Sequence, residues 1–240
     1  YTLLMSSGGM VSVNPHLYPK MAFDPAKDLV PVAAAARVLV FLEVKPSLPV
    51  NNIKEFLAYI KANPGKLSFG SPGNGSSPHL AAEMMKAQTN TFAVHVPYRG
   101  AAQMVQDVLG GNVEYSVFVL SSALPHIESG KMIPLGVTTP GRSRAAPQIP
   151  ALAEHPRLKG YDMNVWFGLF GPAKLPAPMT ARLNKELGEV LREQDVWQKL
   201  QKAGISNDGG TPKALTDFIR AETTRVRSVV TQAVAAGAGS

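Results

Sequence analysis

The middle of the sequence alternates short apolar runs with segments of helical periodicity, and this alternation is its most restrictive feature. Short apolar runs bounded by turn residues are typical of buried strands, whereas apolar residues recurring three and four positions apart are typical of helices. Strands that alternate with helices at this spacing predict a parallel sheet covered by helices, and hence an α/β fold. The predicted strands are residues 39–44, 67–70, 92–96, 113–119 and 133–138.

Local signals mark where the predicted helices begin and end. Asn52 is a predicted N-cap with Glu55 three residues later, as in a capping box, and Asn63-Pro-Gly65 ends that helix. Pro78 is expected at the first position of the next helix, and a further helix covers residues 101–109. The remaining predicted elements are a strand at 163–170, helices at 180–192 and 195–203, and a long helix from Thr211 to about Ala235 with Leu215, Phe218, Ile219, Val226, Val229 and Val230 as its buried stripe.

The beginning of the chain reads as a strand in the middle of a fold. Residues 1–6 are mostly apolar and carry no turn signal. An inner strand of a parallel sheet needs neighbours on both sides. We therefore expect a strand–helix unit upstream of Tyr1 that is absent from this sequence.

Composition excludes several classes of protein. An apolar content of 45% with only 17% charged residues is typical of a folded globule and not of a disordered chain. The net charge of +7 suits an anionic partner, but the basic residues never form a run of four, so nucleic-acid binding is not expected. The absence of cysteine excludes disulfides, thiol chemistry and cysteine-ligated metals. No stretch approaches the roughly 18 apolar residues of a membrane span.

The loop Gly70-Ser-Pro-Gly-Asn-Gly-Ser-Ser-Pro-His79 lies between a predicted strand and a predicted helix. Bare glycine backbone, hydroxyl groups and a positive helix end together favour an anion pocket. The glycine spacing matches neither the dinucleotide fingerprint nor the phosphate loop. A capped helix with Ser76 or Ser77 as N-cap accounts for the same residues, and both interpretations stay open. The candidate ligand residues here are Ser71, Gly73, Asn74, Gly75, Ser76, Ser77 and His79.

The same residues invite two other interpretations, a metal site and the active site of a serine hydrolase. His79 and Glu83 are spaced as metal ligands can be, but no third ligand is nearby, and no metal site or cofactor is expected. A serine hydrolase using Ser76 or Ser77 with a histidine is an alternative, although Gly75-Ser-Ser-Pro-His79 does not fit the nucleophile elbow. We therefore expect no enzymatic activity.

Two more strand-to-helix turns carry polar residues. Tyr98 and Arg99 follow one predicted strand, and Ser121-Ser122 follow the next. The carboxyl ends of parallel strands meet at one edge of the sheet, where α/β proteins bind ligands. The coincidence of three such loops favours a binding site at that edge. Trp166 either lines a cleft or fills the core, and the sequence favours the core.

Several motifs, in this order along nearly the whole chain, resemble the Bug family of extracytoplasmic solute receptors, which serve tripartite tricarboxylate transporters. They are Phe23-Asp-Pro-Ala-Lys-Asp28, Ser71-Pro-Gly-Asn-Gly-Ser-Ser-Pro-His-Leu80, His95-Val-Pro-Tyr-Arg-Gly100, Pro125-His-Ile-Glu-Ser-Gly-Lys131 and Trp166-Phe-Gly-Leu-Phe-Gly-Pro172. Two departures from the family pattern are Arg99 in place of a lysine and Val119-Leu120 in place of a more polar pair. The apolar Val119-Leu120 favours a less polar ligand.

The resemblance implies a two-lobed type II periplasmic-binding-protein fold, the Venus flytrap. Residues 1–43 with 163–240 would form one lobe, and residues 44–162 the other. It further implies a monomer in the periplasm that binds a di-, tri- or aromatic carboxylate and hands it to membrane transporter subunits. A receptor that acts on a sensor kinase is the alternative. Besides the loop residues above, the expected ligand-binding set contains Ser7, Gly8, Met10, Tyr98, Arg99, Ser121 and Trp166.

Overall fold

The structure, a computed structural model, describes residues 2–18, 20–143, 146–206 and 209–233. The chain forms two compact units, and we call Tyr1–Val38 with Val165–Ser240 the first unit and Leu39–Asn164 the second. The sequence places the first crossing later, within 40–44. The crossing precedes this stretch because all of it forms one strand of the second unit's sheet.

The elements of the described residues are as follows. The strands are β1 (Leu4–Ser7), β2 (Leu29–Val38), β3 (Val40–Val44), β4 (Ser68–Ser71), β5 (Val94–Pro97), β6 (Tyr115–Val119), β7 (Ile133–Val137), β8 (Val165–Pro172) and β9 (Ile205–Ser206). The α-helices are α1 (Asn14–Leu17), α2 (Pro25–Asp28), α3 (Ile53–Ala62), α4 (Ser77–Thr89), α5 (Ala101–Leu109), α6 (Leu120–Glu128), α7 (Ala177–Val190), α8 (Gln194–Lys202) and α9 (Pro212–Ala233). A π-helical segment, Gly9–Val13, leads into α1.

The second unit contains a mixed sheet with the strand order β5-β4-β6-β3-β7. β4 pairs in parallel with β5 and β6, but β3 runs antiparallel to both β6 and β7. The predicted parallel sheet is thus right for β4, β5 and β6 and wrong for β3. A strand buried on both faces is largely apolar whichever way it runs, so the apolar-rich run at 40–44 carries no information about direction.

The first unit contains an antiparallel sheet with the order β1-β8-β2-β9. The predicted parallel setting of the first strand is therefore wrong, because β1 pairs antiparallel with β8. Among the described strands β1 lies at an edge, and the expected upstream unit stays a prediction. A cluster around Trp166 and Leu215 packs α9 against this sheet, and a cluster around Val32 and Leu175 packs α7 against it. None of the helices in the described ranges has the length and apolar character needed to cross a membrane.

Helix α3 shows how local sequence signals fix an element. The Glu55 N–H donates to Asn52 Oδ1 over 2.9 Å, and the Asn51 N–H donates to Glu55 Oε2 over 2.8 Å. The predicted N-cap is confirmed, and Ile53, Phe56, Leu57 and Ile60 form the buried face. The long C-terminal helix is also confirmed as α9, with residues 234–235 of the prediction outside the described part of the chain.

Glu43 is a carboxyl group buried within the sheet of the second unit. It lies on β3 between β6 and β7, and neither carboxyl oxygen has a hydrogen-bond partner in the described structure. The Ser116 hydroxyl directly across the strand pair donates to Gly70 O instead, over 2.7 Å. Burial disfavours the charged form, and it raises the pKa of Glu43 from 4.5 to about 8. Glu43 is therefore protonated in the folded protein at neutral pH.

Gly8 lies against the indole of Trp166 in the first unit. A Cβ atom at this position would lie 2.6 Å from Trp166 Cε2 and closer still to Nε1. The backbone of Gly8 is helical, with φ at −55°, so packing and not conformation requires glycine here. Trp166 is 3% exposed and meets the Phe218 ring edge to face, with centroids 5.2 Å apart. The core interpretation of Trp166 fits these contacts.

We predict that Glu43→Gln flattens the pH dependence of stability. The folded protein keeps a proton on Glu43 that the unfolded chain releases between about pH 4.5 and about pH 8, so the free energy of unfolding should fall as pH rises through that interval. A glutamine side chain cannot ionise, and the fall should be smaller in the variant. Urea unfolding at stepped pH values measures both slopes. Equal slopes in the two proteins would contradict a buried, unpaired carboxyl group.

We predict that Gly8→Ala lowers the free energy of unfolding by about 1–3 kcal/mol, because the added methyl group overlaps the Trp166 indole. Gly141→Ala is the matched control, since an added Cβ there meets no heavy atom within 4 Å and the backbone does not require glycine. Chemical denaturation of both variants measures the difference. A Gly8→Ala protein as stable as Gly141→Ala would show that this contact relaxes without cost.

Candidate ligand-binding site

Three parallel strands of the second unit end at the same edge of its sheet. Ser71 at the end of β4 pairs with Pro97 at the end of β5, and Gly70 pairs with Ser116 on β6. Loop 71–77, loop 98–100 and the start of α6 therefore follow one another along this edge. The expected gathering of three strand-to-helix turns is present within the second unit, in the place where α/β proteins bind ligands.

Loop 71–77 is folded around the carbonyl oxygen of Gly73. This oxygen accepts hydrogen bonds from the Ser71 hydroxyl over 3.1 Å, from the Ser76 hydroxyl over 2.7 Å and from the Ser76 N–H over 3.3 Å. Gly73 and Gly75 have φ values of 138° and 73°, which side-chain-bearing residues rarely adopt. The two glycines are thus needed for the shape of the loop.

Ser76 is the N-cap of α4. Its hydroxyl accepts from the His79 N–H over 3.4 Å, and α4 begins at Ser77, so Pro78 stands at the second helical position and not at the predicted first. The capping interpretation therefore applies to Ser76 and not to Ser77. The Ser76 hydroxyl also donates to Gly73 O, so it is used both as a donor and as an acceptor within the loop.

Ser77 and Asn74 retain polar groups that the described part of the protein does not use. The Ser77 side chain is partly exposed, and no described residue accepts a hydrogen bond from its N–H or its hydroxyl. The Asn74 Oδ1 atom is buried without a partner, and the Asn74 N–H has no described acceptor. The Ser77 and Asn74 N–H groups and the Ser77 hydroxyl are donors at or just before the positive start of a 13-residue helix, which favours a negatively charged ligand.

Two histidines lie beneath loop 71–77. The Gly75 N–H donates to His79 Nδ1 over 3.1 Å, and the Ser71 hydroxyl lies 2.7 Å from His95 Nε2. Burial lowers the pKa of His79 to about 3, with further lowering by His95 and Lys86. Burial also lowers the pKa of His95 to about 4, with further lowering by Lys86. Both rings are therefore neutral at ordinary pH. The ligand-binding residues predicted from the sequence did not include His95, although the motif His95-Val-Pro-Tyr could have indicated it.

The metal and hydrolase alternatives find no support in this geometry. Glu83 binds Lys86 over 2.7 Å and lies 3.9 Å from His79 Nε2, and the described residues contain no cluster of three potential metal ligands. Neither Ser76 nor Ser77 contacts a histidine ring nitrogen in the described structure. Ser71 does so, but it is fully buried, and no described carboxylate orients the His95 ring as a catalytic triad requires.

Tyr98 connects the second loop to its surroundings, while Arg99 does not. The Tyr98 hydroxyl donates to Asp107 Oδ2 over 2.8 Å, and the Tyr98 N–H donates to Ser71 O over 2.9 Å. Burial, together with Asp107, raises the pKa of Tyr98 to about 12. The Arg99 side chain is exposed and pairs with no described carboxylate, so it adds a positive charge close to loop 71–77.

In the third turn, at the start of α6, one serine hydroxyl bonds to the backbone and the other does not. The Ser122 hydroxyl donates to Val119 O over 2.9 Å, whereas Ser121 is exposed and its hydroxyl has no partner in the described ranges. Leu120 is buried in an apolar cluster with Phe41. The Leu120 side chain therefore packs the core and is not available to a ligand. Of the pair Val119-Leu120, only the partly exposed Val119 could influence how polar a ligand is preferred.

The first unit holds the remaining residues of the predicted set. Ser7 ends β1 opposite Phe167, Gly8 contacts Trp166, and Met10 is exposed. The sequence did not predict a cavity of about 220 Å³ in this unit, bounded by β2, β8 and the start of α9. Trp166 and Phe167 line it, as does Arg37, whose guanidinium lies 4.7 Å from the centre of the Phe218 ring.

Comparison with known proteins agrees with these features. The family described as the tripartite tricarboxylate transporter family receptor matches residues 1–234. The curated protein BugT of Bordetella pertussis is 30% identical over 234 residues, which cover 96% of this chain and 71% of BugT.

Solved structures share the fold. An R. palustris protein solved with adipate is 32% identical, with a TM-score of 0.89 over 97% of this chain and 78% of that one. MatC from Rhodopseudomonas palustris with bound malate is 26% identical, with a TM-score of 0.83 over 95% of this chain and 78% of MatC. The matching family of receptors and the solved periplasmic binding protein BugD are binding proteins and not enzymes, so the hydrolase alternative is set aside. This chain belongs to the tripartite tricarboxylate transporter receptors, the Bug family of periplasmic solute-binding proteins.

Proposed function

We propose that this protein captures a small carboxylate in the periplasm and delivers it to the membrane subunits of a tripartite tricarboxylate transporter. Two solved relatives hold adipate and malate, which are both dicarboxylates. The transporter is preferred to a sensor kinase as the partner because the matching family is described by its transporter. We expect the receptor to act as a monomer.

The observation that carries the proposal is the set of unused hydrogen-bond donors at the start of α4. The Ser77 N–H and hydroxyl and the Asn74 N–H have no acceptor among the described residues. A carboxylate accepts several hydrogen bonds at once, and hydrogen bonds to an ionised acceptor are stronger than those between neutral groups. The positive end of α4 adds an attraction that an uncharged solute does not gain.

Arg99 supports the same class of ligand. Arg99 is exposed and directly follows Tyr98, whose N–H donates to Ser71 O, and its guanidinium is always charged at physiological pH. The planar fork of guanidinium N–H groups matches the two oxygens of a carboxylate. A second carboxyl group of a dicarboxylate is the natural partner for Arg99, while the first is held at Ser77.

We predict that adipate or malate raises the melting temperature of the full-length protein and that Ser77→Ala weakens this binding. Loss of one hydrogen bond to a charged group costs about 1.5–3 kcal/mol, which is about ten- to hundredfold in Kd. The melting temperature of the ligand-free protein should stay unchanged, because the Ser77 hydroxyl holds no described residue. Titration calorimetry and thermal unfolding measure the two effects.

Ser76→Ala is the matched control for this experiment. It removes the N-cap of α4, so the stability of the ligand-free protein should fall by about 0.5–2 kcal/mol. Sugars and amines complete the ligand panel. Unchanged affinity in Ser77→Ala, or stabilisation by sugars or amines but by no carboxylate, would contradict the proposal.

A further inference from the structure

The two histidines beneath loop 71–77 reach opposite ends of it. His79, on α4, accepts the Gly75 N–H at Nδ1 over 3.1 Å, and His95, on β5, holds the Ser71 hydroxyl at Nε2 over 2.7 Å. The same hydroxyl lies 3.1 Å from Gly73 O and 3.3 Å from Gly73 N. Each histidine therefore acts on one of the two ends of the turn that presents Asn74.

The two imidazole rings are stacked face to face. Their centroids are 4.0 Å apart with an interplanar angle of 14°, and the Phe69 ring stacks on His95 at 4.7 Å. The His79 side chain is 1% exposed, so solvent does not compete for its hydrogen bond. A stacked ring has little freedom to turn, and the positions of His79 Nδ1 and His95 Nε2 are fixed relative to one another.

The arrangement requires a neutral His79. Only an unprotonated Nδ1 accepts the Gly75 N–H, because an imidazolium ring donates from both nitrogens. The proton of the neutral ring then lies on Nε2, which is 3.9 Å from Glu83 Oε1.

Lys86, one of the groups packed around this ring stack, also favours neutral histidines. The Lys86 ammonium lies 5.0 Å from the centre of the Phe69 ring and is held by Glu83 over 2.7 Å. From β6, Tyr115 stacks on Phe69, and its buried hydroxyl has no hydrogen-bond partner in the described ranges. The Lys86 ammonium lowers the pKa of both histidines and so opposes a positive charge on either ring.

We propose that His79 and His95 are positioning residues for the solute, a neutral stacked pair that sets the direction of the Asn74 and Ser77 donors without touching the ligand. This inference rests on the proposed function, because it assigns the donors of loop 71–77 to the ligand. Loss of the pair would leave the sheet and α4 in place but release the turn between Ser71 and Ser77. Affinity would fall because the loop would have to be ordered each time a ligand binds.

The test compares conservative with apolar replacements of the same histidine. His79→Asn keeps an acceptor close to the position of Nδ1, whereas His79→Leu removes it. His95→Gln keeps a polar group close to the position of Nε2, whereas His95→Leu removes it. With adipate and malate as probes, the Leu variants should bind at least about tenfold more weakly, while the Asn and Gln variants stay within a few-fold of the wild type.

Hydrogen exchange of the Gly75 amide, measured without ligand, separates failure of this inference from failure of the proposed function. The Gly75 N–H should be protected in the wild type and in His79→Asn and exchange faster in His79→Leu. Protection that is the same in all three proteins, or affinities that do not distinguish Leu from Asn and Gln, would overturn the positioning role. Should the Leu variants fail to fold, an exchange-unprotected Gly75 in His79→Asn would overturn it as well. If Gly75 behaves as expected but no carboxylate binds, the proposed function fails and the loop assignment stands.

Discussion

The parallel pairing of β4 with both β5 and β6 is the interaction on which the binding edge depends. It brings the ends of three strands to one side of the second unit's sheet, so that loop 71–77, loop 98–100 and the start of α6 are neighbours. In each turn some polar groups form hydrogen bonds within the turn, and others have no partner among the described residues. Ser76 and Ser122 hold backbone groups, whereas Ser77 and Ser121 do not. We propose that the free hydroxyl groups, which lie beside the structural ones, form part of a binding surface.

Three ionisable side chains in the interior of the second unit are uncharged, beside the buried ion pair of Lys86 with Glu83. His79 and His95 are neutral because burial and Lys86 lower their pKa values, and Glu43 is protonated because burial raises its pKa. In the proposed site, the positive charge that would face a carboxylate comes from the start of α4 and from Arg99. A charged histidine under the loop would attract the same anion but would lose the hydrogen bond that shapes the turn.

Much of the fold and part of the site were predictable from the sequence, and the failures have identifiable causes. Asn52 and Glu55 set the start of α3 because a capping box acts within four residues. The ten-residue strand β2 escaped prediction because its centre, Ala33–Ala36, is a run of the best helix former, and only its pairing with β8 and β9 makes it a strand. The direction of β3 and the contact between Ser71 and His95, 24 residues apart, depend on long-range pairing that no local pattern encodes.

The central claim is that a carboxylate binds at the start of α4, and amide-resolved NMR tests it most directly. Titration of the ¹⁵N-labelled full-length protein with adipate should move the Ser77 and Asn74 amide resonances most, because their N–H groups have no described protein acceptor and lie at the positive end of the helix. Gly75, whose N–H is held by His79, should move less. Unchanged Ser77 and Asn74 resonances with saturable shifts elsewhere, such as around Ala36 and Phe167 in the first unit's cavity, would contradict the claim.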